Sequence, residues 1–300
     1  MSTEALLREM RQRLCDGGLH GCLLVRDLHT GEELGIEPDT QLPAASLVKV
    51  PLALATVERI RRGEINGSTM LTVEPGRLTS PGSTGLSRFR HPAHIAVDDL
   101  LYLSTGVSDG TAADALFALT PPAQVAGILR ELGLQGISVR HTIRELTDTP
   151  VERFDAAEVH LAHALAIDAG TSGRGHRVPQ LDVTRANTGS ARSYVELLQA
   201  LWTPSAIHPE VAGRVRSLMA DNLLRHRLAP DFSSDASTWS SKTGTLLNLR
   251  HEIGVVEHSD GQAFAIAVLT ESLVPAGTQP DADAVMAQVA RTLRDYLRQL

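Results

Sequence analysis

A predicted helix begins at the residues SLVK, Ser46–Lys49, and its apolar residues recur at helical spacing to about Arg62. Pro51 falls in the first turn of this helix, where its missing N–H is tolerated. Residues three apart share a helix face, so the Lys49 amine is expected within hydrogen-bond reach of the Ser46 hydroxyl. A buried lysine of lowered pKa can take a serine proton, and the helix start stabilises a developing oxyanion. The stretch therefore predicts a serine nucleophile with a lysine base, against the ordinary alternative of a helix cap followed by a solvated lysine.

The use of lysine singles out the same stretch. The chain has 28 lysine and arginine residues, and only Lys49 and Lys242 are lysine. Arginine is effectively never deprotonated, whereas a desolvated lysine can lose its proton and act as a base. Both lysines stand beside a serine in a short motif, which favours a catalytic role for each.

Two further motifs follow in order along the chain. Ser108-Asp109-Gly110 comes after a predicted helix, and Ser240–Thr245 (SSKTGT) lies on a predicted strand. Together with Ser46–Lys49 they place three hydroxyl-bearing segments and two lysines at separations that a single site can bring together.

Predicted strands lie near both ends of the chain, and the middle is mainly helical. The strands are expected near 21–27, 33–36, 239–243, 252–256 and 264–269, with amphipathic helices at 4–15 and 281–299 and helices around 97–104, 111–118, 122–132, 155–167, 190–202 and 209–228. This order predicts one domain over 1–300 of the α/β (α+β) class. Its α/β lobe is expected from about 1–43 and 205–300, with an inserted all-α lobe over about 44–204.

Composition narrows the class of function. The formal net charge of -7 and the 3% aromatic content argue against a nucleic-acid binder. The N-terminus shows no signal-peptide pattern and no run approaches the roughly 20 apolar residues of a membrane span. We therefore expect a cytoplasmic protein without membrane association, with Cys15 and Cys22 as free thiols.

The ordered motifs resemble the signature of penicillin-binding proteins and class A β-lactamases, S-x-x-K, S-D-N and K-T-G. The resemblance covers about residues 20–295. It implies the β-lactamase/transpeptidase-like fold, an antiparallel sheet with an inserted helical lobe. It also implies acyl transfer through a Ser46 acyl-enzyme, with Lys49 accepting the serine proton and Ser108, assisted by Lys242, passing a proton to the leaving group.

The resemblance implies a binding surface as well. Thr243, Gly244 and Thr245 would line the substrate together with Gly110, and Lys242 with Thr243 would hold a substrate carboxylate. The backbone N–H groups of Ser46 and Thr245 would form the oxyanion hole. Arg250 is expected either as a second cation for the carboxylate or as an ordinary strand-end arginine. The implied partner is a small molecule carrying a carboxylate, with no metal and no organic cofactor; the oligomeric state is left open.

Two positions depart from the family pattern. Gly110 stands where the family usually has the asparagine that binds acylamino groups, and no E-x-x-L-N segment supplies a deacylating glutamate. Glu145 is the nearest candidate base, with a surface carboxylate as the alternative. We therefore expect weak or absent β-lactam hydrolysis, which leaves slow deacylation, an esterase or amidase, or a cytoplasmic acyltransferase of a biosynthetic pathway open.

Other interpretations compete with this one. Gly106–Gly110 also matches G-x-S-x-G, the nucleophile elbow of α/β-hydrolases, although a helix rather than a strand is predicted before it. The pairs His91/His94 and His160/His163 have metal-like spacing without a clear third ligand. A non-turnover binder that is acylated once, and acts as a sensor or scaffold, is the main non-enzymatic alternative.

Overall fold

A computed structural model describes residues 2–76, 84–155, 157–168 and 175–299. Its central feature is an antiparallel sheet with the strand order β2-β1-β9-β8-β7, built from both ends of the chain. The bounds of these strands are Leu19–Asp27 (β1), Glu33–Ile36 (β2), Ser237–Leu246 (β7), Leu249–His258 (β8) and Ala263–Ser272 (β9). The strands predicted from the sequence are thus present, and β7, which carries the third motif, is an edge strand.

Helices cover both faces of this sheet. Their bounds are Thr3–Asp16 (α1), Lys49–Arg61 (α2), Val97–Thr105 (α3), Gly110–Leu119 (α4), Pro122–Glu131 (α5), Ile143–Thr147 (α6), Val159–Ile167 (α7), Ala191–Trp202 (α8), Pro209–Ala220 (α9), Ala229–Phe232 (α10) and Pro280–Leu297 (α11). The terminal helices α1 and α11 pack on one face, and the remaining core lies on the other. Alternation along a strand assigns each residue to a face: Val255 packs towards the helical lobe, and Val256 towards α1 and α11.

The inserted segment is not all helical, which corrects the prediction for residues 44–204. Short strands Met70–Val73 (β4) and Ala93–Ala96 (β5) form an antiparallel pair, and Leu42–Pro43 (β3) pairs with Thr188–Gly189 (β6). In addition, α8 packs on the sheet strands β1 and β9 rather than inside the helical lobe. Strands this short carry too few residues for an alternating pattern to distinguish them from loop.

The helix expected over 209–228 ends at Ala220. The Asn222 side chain explains where the chain turns, because its carbonyl oxygen accepts a hydrogen bond from the Leu224 N–H at 3.1 Å. Its amide nitrogen donates to Ser241 Oγ at 3.1 Å and so fastens the turn to β7.

Among the described residues, no single helix has the length and apolarity to cross a bilayer. The consecutive helices α4 and α5 meet those criteria only as a pair, and the chain bends by 73° between them.

Candidate active site

Ser46 lies at the junction of the two lobes, in a 3-10 helix Ala45–Val48 that leads directly into α2. The neighbours Leu47 and Val48 are buried, and this orients the half-buried Ser46 away from the core. The residue before it, Ala45, has a left-handed backbone with φ of 46°. Such a conformation is unfavourable for alanine and persists only where the surroundings impose it.

Lys49 is buried, and its amine points to the second motif. Its Nζ donates hydrogen bonds to the backbone oxygen of Ser108 at 2.6 Å and to Ser108 Oγ at 3.3 Å. Among the hydrogen bonds of the described residues, none joins Lys49 to Ser46. Burial lowers the pKa of Lys49 to about 8, although Asp109 and the α4 residue Asp114 oppose the shift. Lys49 is therefore an amine that can exist unprotonated near neutral pH.

Ser108 lies between the two lysines. Lys242 Nζ donates to Ser108 Oγ at 2.8 Å and to the backbone oxygen of Thr243 at 3.0 Å. Burial and the charge of Lys49 both lower the pKa of Lys242 well below its usual range. Two buried amines that disfavour each other's charge surround one hydroxyl, and such an arrangement can pass a proton through Ser108 Oγ.

Asp109 fixes the position of Ser108. Its buried carboxylate caps α4 by accepting from the N–H groups of Thr111 and Ala112. The same carboxylate accepts from the Leu86 N–H at 2.5 Å and the Ser87 hydroxyl at 2.9 Å, so it ties α4 to the 3-10 helix Gly85–Arg88. This rigid frame holds Ser108 in a left-handed conformation with φ of 61°.

Gly244 allows the active-site strand to approach Ser46. A Cβ at this position would lie 3.0 Å from Leu47 Cγ and 3.2 Å from the Ala44 backbone oxygen. Gly244 and Lys242 share the sheet face of Ile253, which packs towards the helical lobe, so both face the nucleophile turn. The close approach of Leu47 and Ala44 thus explains why the third motif has a glycine at this position.

A buried arginine that the sequence reasoning missed supports the same strand. The Arg227 guanidinium donates to the Gly244 backbone oxygen at 3.1 Å, to Thr245 Oγ1 at 2.8 Å and to Asp283 Oδ1 at 2.9 Å. Thr245 is exposed and Thr243 is buried, so the two threonines of the strand differ in access to solvent. Arg227 is one of many arginines in the sequence, and no local pattern distinguishes it.

Arg250 has a different role from the predicted contact with a substrate carboxylate. Its guanidinium is buried and donates to four backbone oxygens, those of Leu247, Leu249, Ala276 and Gly277, at 2.6 to 3.0 Å. Burial lowers its pKa to about 10. These bonds join the β7–β8 turn to the segment after β9 and occupy both terminal nitrogens of the guanidinium, which favours the alternative of a structural strand-end arginine.

Glu145 is likewise used structurally. Its carboxylate accepts from the N–H and the hydroxyl of Thr142 at 2.8 and 3.0 Å, which completes a capping box at the start of α6. These bonds hold the pKa of Glu145 below its usual range and make it a weaker base. The exposed side chain lines a cavity of about 400 Å³ together with Arg177 and Gln180. The contacts of Glu145 thus identify a helix cap and give no support to its role as a deacylating base.

The residue that faces Gly110 is apolar. A Cβ on Gly110 would lie 3.1 Å from Ile143 Cγ2, and Ile143 is buried. Asp114 Oδ1 accepts from the N–H groups of Ile143 and Arg144 at 2.8 and 3.2 Å and so fixes the start of α6 in this place. An asparagine at position 110 would crowd Ile143, which gives a physical reason for the glycine.

The competing interpretations of the motifs do not fit the geometry. Ser108 follows helix α3, whereas a nucleophile elbow requires a strand before the serine. His94 Nδ1 pairs with Thr72 Oγ1 at 3.2 Å, and His160 Nδ1 with the Ala157 backbone oxygen at 3.0 Å. Within the described ranges, no group of three His, Cys, Asp or Glu side chains could hold a metal ion.

Comparison with known proteins shows the family and the fold of the chain. The sequence model of the β-lactamase enzyme family matches residues 7–297. The chain is 69% identical to the β-lactamase regulatory protein BlaB of Streptomyces cacaoi, with 100% of this chain and 99% of that protein covered. Among solved structures, a β-lactamase from Chitinophaga pinensis matches with a TM-score of 0.78 at 17% identity, covering 98% of this chain and 99% of that one. PBP-A matches with a TM-score of 0.74 at 19% identity, covering 99% and 97%. The structural matches show the fold.

Proposed function

We propose that this chain, which belongs to the β-lactamase enzyme family, is a serine acyl-transfer protein that forms an acyl-enzyme at Ser46. The acyl donor is a β-lactam, an ester or an amide that carries a carboxylate. The observation that supports this most strongly is the pair of buried lysine amines around Ser108 Oγ, at 3.3 and 2.8 Å. Burial of two amines lowers the stability of the folded protein, and a role in proton transfer is a reason for their presence.

In the proposed acylation step, Ser46 Oγ bonds to the carbonyl carbon of the donor. The Ser46 proton passes to the unprotonated amine of Lys49, directly or through water. The carbon–nitrogen or carbon–oxygen bond to the leaving group then breaks, and the Ser108 hydroxyl gives its proton to the leaving atom. Ser108 Oγ recovers a proton from Lys242 or Lys49, both of which donate to it.

We propose that release of the acyl group is slow. A water that attacks the ester carbonyl needs a base, and in this chain Ile143 faces Gly110 while Glu145 caps its own helix. Among the residues that the structure describes, neither Ile143 nor Glu145 supplies such a base, so this proposal concerns deacylation and leaves the proposed acylation step unchanged. Weak or absent classical β-lactamase activity follows from this combination.

A second candidate function is regulatory. The 69% identity to a protein described as a β-lactamase regulatory protein favours it. A long-lived acyl-enzyme would record exposure to the donor, as a non-turnover binder does. In this form of the proposal the ligand is a carboxylate-bearing small molecule that acts in the cytoplasm, and acylated Ser46 is the signalling state.

Intact-mass measurements over time test both candidates. The protein is mixed with a reporter β-lactam, alongside Ser46→Ala and Ser108→Ala. A persistent adduct that Ser46→Ala abolishes is the expected result, with turnover of a generic ester separating an enzyme from a binder. An adduct that survives Ser46→Ala and disappears in Ser108→Ala would move the nucleophile to Ser108. No adduct from β-lactams, esters or thioesters would refute acyl transfer.

A further inference from the structure

His251 is a buried residue of β8 that lies opposite Gly244 in the strand pairing. Both ring nitrogens have backbone partners. Nδ1 accepts a hydrogen bond from the Thr270 N–H at 3.1 Å, which leaves the proton on Nε2, and Nε2 donates to the Pro43 backbone oxygen at 2.9 Å. The imidazole therefore links β8 and β9 to the segment just before the nucleophile.

The segment that His251 holds is a tight one. Pro43 and Ala44 are anchored on the other side by the pairing of β3 with β6 and by the Ala44 N–H bond to the Asn187 oxygen at 2.7 Å. Ala45 follows with its left-handed backbone. Strain of this kind is retained only where contacts on several sides determine the backbone.

His251 and the Ala44 backbone both pack closely around Gly244, between β8 and the turn that precedes Ser46. The position of a Cβ on Gly244 would be 3.3 Å from His251 Cβ and 3.2 Å from the Ala44 oxygen. The imidazole thus reaches Pro43 past Gly244, the residue of β7 that has no side chain. The packing leaves the turn little room to shift unless the hydrogen bond is lost.

We propose that His251 is a positioning residue for Ser46, which acts by tying the Pro43 carbonyl to the central strands and thereby fixing the strained turn that presents the hydroxyl. This inference rests on the proposed function of Ser46. His251 is fully buried, and both of its ring nitrogens are used by the backbone of Pro43 and Thr270, so it acts on Ser46 only through the turn. Its contribution is to the rate of acylation and not to the binding of the donor.

Two variants of similar polarity separate the two bonds of the imidazole. His251→Gln keeps an amide N–H near the position of Nε2 and can still donate to Pro43, whereas His251→Asn can accept from Thr270 and cannot reach Pro43. We expect His251→Asn to lower the maximal acylation rate by about 10- to 100-fold at an unchanged dissociation constant for the unreacted β-lactam. His251→Gln should restore the rate to within about threefold of the wild type.

A readout that does not depend on acylation accompanies the kinetics. Hydrogen exchange of the peptide spanning residues 42–48, measured on the free protein, should be faster in His251→Asn and close to wild type in His251→Gln. Equal acylation rates and equal exchange in the two variants would overturn the positioning role. If the wild type is not acylated, the proposed function fails, and the exchange comparison alone decides whether His251 fixes the turn.

Discussion

The rate at which Ser46 is acylated should rise with pH between 6 and 8. Burial lowers the pKa of Lys49 to about 8, and only the unprotonated amine can accept the serine proton. With that pKa, the unprotonated fraction is about 1% at pH 6, about 9% at pH 7 and about 50% at pH 8. The acylation rate at subsaturating β-lactam should therefore increase about 9-fold from pH 6 to pH 7 and about 50-fold from pH 6 to pH 8.

Stopped-flow acylation by a chromogenic cephalosporin, with the adduct confirmed by intact mass, measures this profile. Lys49→Arg is the matched control because it keeps the charge and cannot lose its proton, so its rate should fall by at least about 100-fold and lose the pH dependence. A rate that is flat from pH 6 to 8 would refute Lys49 as the base. A rise with pH that persists in Lys49→Arg would instead point to Lys242, whose pKa burial also lowers.

Three substitutions test the parts of the site that surround the lysines. Ile143→Glu places a carboxylate next to Gly110 and should shorten the lifetime of the acyl-enzyme in a mass-decay experiment; an unchanged lifetime would contradict the explanation given for slow release. Gly244→Ala brings a methyl to 3.0 Å from Leu47 Cγ, so it should lower the free energy of unfolding by about 1–3 kcal/mol in urea and slow acylation, whereas a neutral effect would show that the turn yields. Arg227→Met leaves Asp283 buried and unpaired and should lower the free energy of unfolding by about 3–5 kcal/mol. The double variant with Asp283→Leu should recover part of this loss. Losses that simply add in the double variant would show that the pair does not interact.

The motifs that hold Ser46, Lys49, Ser108 and Lys242 could be recognised in the sequence because two local signals coincide, and the structure places Lys49 and Lys242 in hydrogen-bond contact with Ser108. Scarcity of lysine identified the two amines, and the hydroxyl residues lie in the same short motifs. The family and the fold follow from the order of those motifs, and the comparisons confirm both. The strands of the antiparallel sheet could be predicted because most of them are long enough to show a strand pattern in the sequence.

Most contacts of the site join chain segments far apart in sequence, and local spacing alone could not predict them. Helical spacing placed the Lys49 amine beside Ser46, yet its hydrogen bonds reach across to Ser108, 59 residues away. The same limit applies to Arg250, whose four carbonyl partners come from two separate segments. Glu145 differs, because its capping-box partner Thr142 lies only three residues away and the T-x-x-E pattern is a local signal in the sequence. Sequence spacing indicates which residues can share an element, and only the packed structure shows which partner each side chain takes.

In the proposed function, acylation and release depend on different parts of the molecule, and the proposed regulatory role depends on that separation. The acylation apparatus is held by nonlocal bonds: Asp109 fixes Ser108, and His251 fixes the turn before Ser46. Release would need a base near Gly110, where the start of α6 presents the Ile143 side chain. On this proposal, Ile143→Glu should change the lifetime of the acyl-enzyme more than the rate of acylation. A protein that reports on a donor benefits from fast acylation and slow release, whereas an enzyme that hydrolyses β-lactams needs both steps to be fast.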